Sequence, residues 1–237
     1  LKTKKYLTMI NRNGVGILLV GGFGSGKQTL VNVARRFVPP FAHFSSGEYF
    51  RSHIDQETPL GLQIKSDVAG GQYITDATVI SVCEKELPPL LRGSKSKWLD
   101  GFPRTKPQLE AAISLFHQYG MSLEDIFLIE VTTPIEELVL RAQKMETDPD
   151  RSTRTDSAIK SALSRIYQDA DILPGMVSAT RNLLPQNQCF EVDGTHMRTE
   201  APKFLREIGF KIPQTEFDAY YSELDTVGKL PSDFVPA

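Results

Sequence analysis

An apolar run spans Val15 to Val20, stops at Gly21-Gly22-Phe23-Gly24-Ser25-Gly26-Lys27, and gives way to a helix-compatible stretch from Gln28 to Phe37. A short apolar run bounded by turn formers fits a strand buried on both faces, so this segment reads as strand, glycine-rich turn and helix. Further strands are expected at Ala42 to Ser45, Lys97 to Asp100, Ile126 to Val131 and Cys189 to Val192, each separated by helical material. Strands that alternate with helices predict a parallel five-stranded sheet covered on both faces, an α/β fold in three layers. Ile135, Leu138, Val139, Ala142 and Met145 recur at helical spacing behind Pro134, a good first-turn residue, and predict a helix with that face packed. Arg141 falls on another face of it.

Two stretches break the alternation. Residues 47–87 read as about three short helices with no strand, one opened by Thr58-Pro59 and closed by Gly70-Gly71. Residues 146–157 are polar, carry Pro149 and are poor in apolar side chains. A helical insert and a small polar flap on one core suggest two covers over a site. Beyond Ile212, Pro213, Pro231 and Pro236 stand among aromatic residues; this segment reads as a tail on the core or on a partner, its second half held extended by proline.

With 237 residues, 40% of them hydrophobic, the chain can build one large domain with small inserts. A net charge of -2 leaves no global basic field for a nucleic-acid backbone, so any anion site is local. Cys83 and Cys189 have no metal-like spacing and read as buried thiols of a reducing compartment. No apolar run approaches the roughly 20 residues of a membrane span. The expected setting is soluble and intracellular, cytoplasmic or mitochondrial. The basic start, Leu1-Lys2-Thr3-Lys4-Lys5, fits a trimmed presequence, an excised piece or a longer parent chain equally well.

Gly21 and Gly26-Lys27 fit the G-x-x-x-x-G-K core of a phosphate-binding loop, in the strand-to-helix context its mechanism requires. Glycines let successive N–H groups face phosphate oxygens, the helix adds its positive end, and Lys27 would neutralise the transferring phosphate. The hydroxyl that follows the lysine comes one residue late, at Thr29 behind Gln28. This order resembles the adenylate kinases, whose loop reads Gly-x-Pro-Gly-x-Gly-Lys-Gly-Thr.

Three more segments carry the same resemblance. Ser45-Ser46-Gly47-Glu48-Tyr49-Phe50-Arg51 is similar to the family's Ser-Thr-Gly-Asp-x-x-Arg. Leu60-Gly61 and Gly71-Gln72-Tyr73-Ile74-Thr75-Asp76 are similar to the part lining the acceptor base. Asp100-Gly101-Phe102-Pro103-Arg104-Thr105-Lys106-Pro107-Gln108 is close to Asp-Gly-Phe-Pro-Arg-Thr-x-x-Gln, the most specific match in the chain. The resemblance runs from about Val15 to Ile208. It implies a P-loop kinase domain over residues 14–210, with a nucleoside-monophosphate-binding insert at 47–87 and a short lid at 146–157, an N-terminal extension at 1–13 and a C-terminal one at 211–237.

It also implies roles. Gly24, Ser25, Gly26, Lys27, Gln28 and Thr29 would hold ATP, with Arg141 stacked on the donor base and a backbone carbonyl near His196 meeting its amino group. Ser46, Arg51, Gln72, Tyr73, Ile74, Gly101, Phe102, Pro103 and Arg104 would hold AMP, with Gln108 at the adenine edge, because one amide offers both a donor and an acceptor. Arg154 and Arg165, eleven residues apart, match the two lid arginines that clamp phosphates. Catalysis would rest on Lys27, Asp100, Arg104, Arg154 and Arg165. Mg²⁺ would accompany ATP without a direct protein ligand, Thr29 and Asp100 lying near it. Ser46 and Gln108 favour AMP over CMP or UMP.

The chain departs from the pattern at Met145, where the family carries another phosphate-facing arginine, and at Phe23, Gln28 and Leu30, which are expected to crowd the loop. Arg151 is a candidate for the missing charge. The expected activity is phosphoryl transfer between ATP and AMP. The rival expectation is a kinase-like subunit of a larger assembly with weak or no turnover, supported by Met145, the altered loop and a possible protein partner at residues 211–237.

Overall fold

The computed structural model describes residues 14–69, 72–93, 95–144 and 156–227. In chain order the elements are β1 (Gly16–Val20), α1 (Lys27–Phe37), β2 (Ala42–Ser45), α2 (Ser46–Asp55), α3 (Pro59–Ala69), α4 (Asp76–Glu86), α5 (Pro88–Leu91) and β3 (Lys97–Asp100). They continue with α6 (Lys106–Gln118), β4 (Ile126–Thr132), α7 (Ile135–Lys144), α8 (Asp156–Leu183), β5 (Cys189–Asp193), α9 (Met197–Glu207) and α10 (Gln214–Val227). The five strands pair in parallel in the order β2-β3-β1-β4-β5, the α/β architecture expected from the alternation.

Alternation along β1 and β4 divides the interior. Ile17, Leu19, Phe127 and Ile129 enter one core with α1 and α9, while Leu18, Val20, Ile126 and Leu128 enter a second with residues of α4, α6 and α8. Both faces are covered, which is why these strands read as continuous apolar runs. In register, Leu19 stands beside Asp100 and Val20 beside Glu130. The ends of three central strands therefore share one edge of the sheet, where ligands of open parallel sheets bind.

The described part of the tail lies on the core, and it does so as a helix. Pro213 precedes a helix, α10, whose Tyr220 is 5% exposed within the first core while Phe217, Tyr221 and Leu224 pack against that core. These four positions follow an i, i+3, i+4, i+7 stripe and so lie on one helical face. The Tyr220 ring meets Phe37 edge-on at 5.4 Å, its hydroxyl donates to the Arg198 carbonyl at 2.8 Å, and Arg206 stacks on Phe217 at 3.8 Å. The aromatic residues of this helix thus cover their own domain. Residues 228–237, with Pro231 and Pro236, lie outside the described residues. Both cysteines are free; Cys83 is buried, but Cys189 is only half-buried at the start of edge strand β5.

Candidate active site

The turn between β1 and α1 is built for an anion. Gly26 adopts φ 105° and ψ 7°, a left-handed conformation that suits glycine, and a Cβ there would come within 3.2 Å of Met197. No side chain caps α1, which leaves its first N–H groups directed into the loop. Lys27 Nζ donates to the carbonyls of Gly21 and Gly22 at 2.6 and 2.9 Å, holding the ammonium over the loop with a third donor left. Burial pushes the Lys27 pKa down; Asp100 opposes this, the Arg104 cation adds to it, and Asp169 opposes it again.

The substituted loop residues do not crowd this turn. Gln28 is exposed and bonds Asn32, Leu30 is fully buried in the first core, and Phe23 packs against the small cluster of α7 and α8. Ser25 is buried and its hydroxyl has no partner among the described residues. Thr29 lies in the first turn of α1. Arg141 donates to the carbonyls of Gly24, Gly194 and Thr195 at 2.9 to 3.0 Å and pairs with Glu137, tying the loop to the turn after β5. These bonds lie in the guanidinium plane, which leaves its face available for stacking. The His196 carbonyl already accepts from Thr199 N, Thr199 Oγ1 and Glu200 N in the start of α9.

Beside the loop opens a cleft between α2, α3, α4 and α8. Ser46, Arg51, Gln72, Tyr73, Ile74, Gly101, Arg104, Gln108 and Arg165 line it together, from elements far apart in the chain. Phe102 and Pro103 are not among its walls; both are buried, and Phe102 belongs to the second core. Gly101 sits at φ 74°, and a Cβ there would press to 2.7 Å from Ser46 Oγ. Arg165, half-buried on α8, is depressed in pKa first by burial and then by the Arg104 and Arg51 cations. Three guanidinium groups therefore share one small volume, an arrangement that calls for anions.

One anion is already supplied. Arg104 Nη1 donates to Asp169 Oδ1 at 2.5 Å, with Nε on the Gly101 carbonyl at 3.2 Å, and its cation lies 5.5 Å from the Tyr73 ring centroid. Burial alone would lower the Arg104 pKa, but Asp169, Tyr73 and Asp100 outweigh it and hold the cation firmly charged. The Tyr73 hydroxyl also donates to Asp169, and burial raises this phenol above its ordinary pKa.

The Gln108 amide accepts from Arg104 N at 2.9 Å and donates to Asp76 Oδ1 at 2.7 Å, leaving one N–H and one lone pair. Thr105 Oγ1 donates to the same Asp76 oxygen at 2.9 Å, which pins α4 to the start of α6.

Sequence reasoning missed Asp169, Asp76 and the apolar walls Phe23, Phe50, Val68 and Val79. Asp169 follows Arg165 by four residues on α8, so the helical spacing that puts both on one face was the signal for it. Asp100 is buried at the end of β3, within electrostatic reach of Lys27. Met145, Arg151 and Arg154, with lid residues 146–155 and the glycine pair at 70–71, lie outside the described residues. No group of three His, Cys, Asp or Glu that could hold a metal ion is found among the described residues.

Comparison with known proteins agrees with this geometry. The family model described as adenylate kinase matches residues 19–179. The adenylate kinase of Carboxydothermus hydrogenoformans is 37% identical over 129 residues, 53% of this chain and 56% of that protein. That of Prochlorococcus marinus (strain AS9601) is 28% identical over 171 residues, 70% of this chain and 91% of that protein. That of Bacillus subtilis is 35% identical over 121 residues, 49% and 53% of the two chains. The chain thus spans about half the length of the Carboxydothermus and Bacillus relatives. With the matched segment running from β1 through the phosphate loop, the arginine-lined cleft and most of α8, the chain belongs to the adenylate kinase family.

Proposed function

We propose that this protein transfers the γ-phosphoryl group of ATP to the phosphate of AMP, giving two ADP. The observation that carries the reading is the convergence of Arg51, Arg104 and Arg165 on one cleft, with Arg104 close enough to act on the Lys27 ammonium at the phosphate loop. A site for one nucleotide alone has no need of cations on both sides of the transferred group. The relatives bearing the name adenylate kinase support the same reaction.

Phosphoryl transfer spreads charge over three equatorial oxygens while attacking and leaving oxygens stay in line, so positioning and electrostatic stabilisation do most of the work. Lys27 and the loop amides would take the donor phosphates. Arg51 and Ser46 would take the AMP phosphate, and Arg104 and Arg165 would bridge both. Arg154 is assigned to the same clamp by its spacing from Arg165. The acceptor phosphate is already ionised, so no histidine is needed as a base. Packing of the cleft between the insert and α8 would exclude water that would otherwise hydrolyse ATP.

Mg²⁺ suits the donor set, since Asp100 and Thr29 offer hard oxygens beside Lys27. These two residues would hold it through water, and the ion would neutralise charge on the β- and γ-phosphates. The remaining N–H and lone pair of Gln108 match the adenine edge. Initial rates with AMP, CMP and UMP as acceptors test the assignment: AMP should be preferred at least about tenfold in kcat/KM, and equal use of CMP would reject it.

A further inference from the structure

Asp169 is 2% exposed, carries a carboxylate on the cleft-facing side of α8, and has no part in the reaction described above. Its Oδ2 accepts the backbone N–H of Phe23, inside the phosphate loop, at 2.6 Å. Its Oδ1 accepts from Arg104 Nη1 at 2.5 Å and from the Tyr73 hydroxyl. A loop amide and an arginine fork are the donors that bind phosphate oxygens. The amide is available because residue 23 is phenylalanine; proline, which the resembling loop carries there, has no N–H to give. Tyr73 lies in the connection between α3 and α4, so the same carboxylate joins the helical insert to α8, where Ser161 also donates to the Val68 carbonyl at 3.2 Å.

We propose that Asp169 is an internal anion that competes with substrate phosphate for Arg104 and the phosphate loop, and thereby sets how tightly the site binds phosphate. The proposal rests on the reading of the cleft as a phosphate site. A phosphate that enters between Arg51, Arg104 and Arg165 meets a buried negative charge already bonded to the central arginine. It either shares Arg104 through Nη2, which makes no hydrogen bond among the described residues, or displaces the carboxylate. Both routes weaken binding relative to a neutral residue at position 169. In this scheme Asp169 is a positioning residue: it acts through Arg104 and Phe23 and touches no reacting atom.

Isothermal titration of the full chain with AMP, adenosine and inorganic phosphate tests this, on the wild type, Asp169→Asn and Tyr73→Phe. Asp169→Asn keeps the shape and removes the charge, and is expected to tighten AMP and phosphate about tenfold, within the usual range of coupling between two groups. Adenosine affinity stays unchanged, and the KM for AMP falls by a larger factor than kcat changes. Tyr73→Phe releases one of the three anchors and shifts AMP and phosphate in the same direction by a smaller factor, which decides the matter should Asp169→Asn fail to fold. Unchanged or weaker binding of AMP and phosphate, or an equal change for adenosine, would overturn the proposal. A wild type that does not bind AMP at all would instead overturn the assigned function, so the two failures are distinguishable.

Discussion

Removing α10 tests whether the C-terminal helix is part of the fold. Its Tyr220 is 5% exposed, stands edge-on to Phe37 at 5.4 Å and donates to Arg198 at 2.8 Å. Truncating a buried aromatic side chain to alanine costs about 3–5 kcal/mol. The lower end is appropriate here, since Phe217, Tyr221 and Leu224 around it are only partly buried. Tyr220→Phe should cost about 1 kcal/mol, for one hydrogen bond. The paired Arg36 and Glu223 are both substantially exposed and add at most about 1 kcal/mol. In a domain of this size each kcal/mol lowers the melting temperature by about 2–4 °C. Scanning calorimetry should therefore show a fall of about 6–12 °C for Tyr220→Ala and about 2–4 °C for Tyr220→Phe, and at least the former for truncation after Ile212. ATP binding well below the transition should survive truncation, because α10 packs on the far end of α1 from Lys27. A truncated chain that melts with the full chain would refute the packing argument. One that folds but no longer binds ATP would refute the separation of the helix from the site.

Two further outcomes follow. His43 Nδ1 accepts from Arg35 Nη2 at 3.2 Å, and its Nε2 has no partner among the described residues. Burial lowers its pKa; Asp100 opposes this and Arg35 adds to it. A histidine depressed in the folded state contributes stability above its unfolded pKa of about 6.5 and loses it as the pH falls further. The melting temperature of the wild type should thus drop more steeply between pH 7 and pH 5 than that of His43→Gln; parallel curves would contradict this. Met145→Arg should raise kcat more than it lowers the KM for either nucleotide, since the added guanidinium would meet charge that develops during transfer. An unchanged kcat in steady-state assays would reject it.

The sheet was legible because burial on both faces writes strands as apolar runs, and Gly26-Lys27 at the end of one of them marks an anion site whatever the rest of the chain does. Ser46, Arg51, Gln72, Arg104, Gln108 and Arg165 line one cleft, whereas Phe102 and Pro103 do not. What stayed hidden were relations between side chains. Asp169 is one of many acidic residues until the fold brings it to Arg104 and Phe23. The Gln108 amide gave no sign of its bond to Asp76, because α4, α5 and β3 separate the two in the chain. Phe23, Gln28 and Leu30 promised a crowded loop, yet Phe23 packs against the cluster of α7 and α8, and helix geometry sends Gln28 to the surface and Leu30 into the core. The helix in the first half of the tail went unread for another reason: its prolines drew attention from the 217, 220, 221, 224 stripe, although Pro213 precedes the helix, where it does no harm.

The central claim is direct transfer between two nucleotides held by Lys27 and the arginine cleft. ATP labelled at the γ-phosphate, mixed with AMP and excess enzyme, reports the fate of that group in a single turnover. The label should appear in the β-position of ADP, with little inorganic phosphate, and Lys27→Ala should slow its appearance by about 10² to 10³ or more. Label found only in inorganic phosphate, or transfer to AMP that is indifferent to Lys27→Ala, would contradict the account.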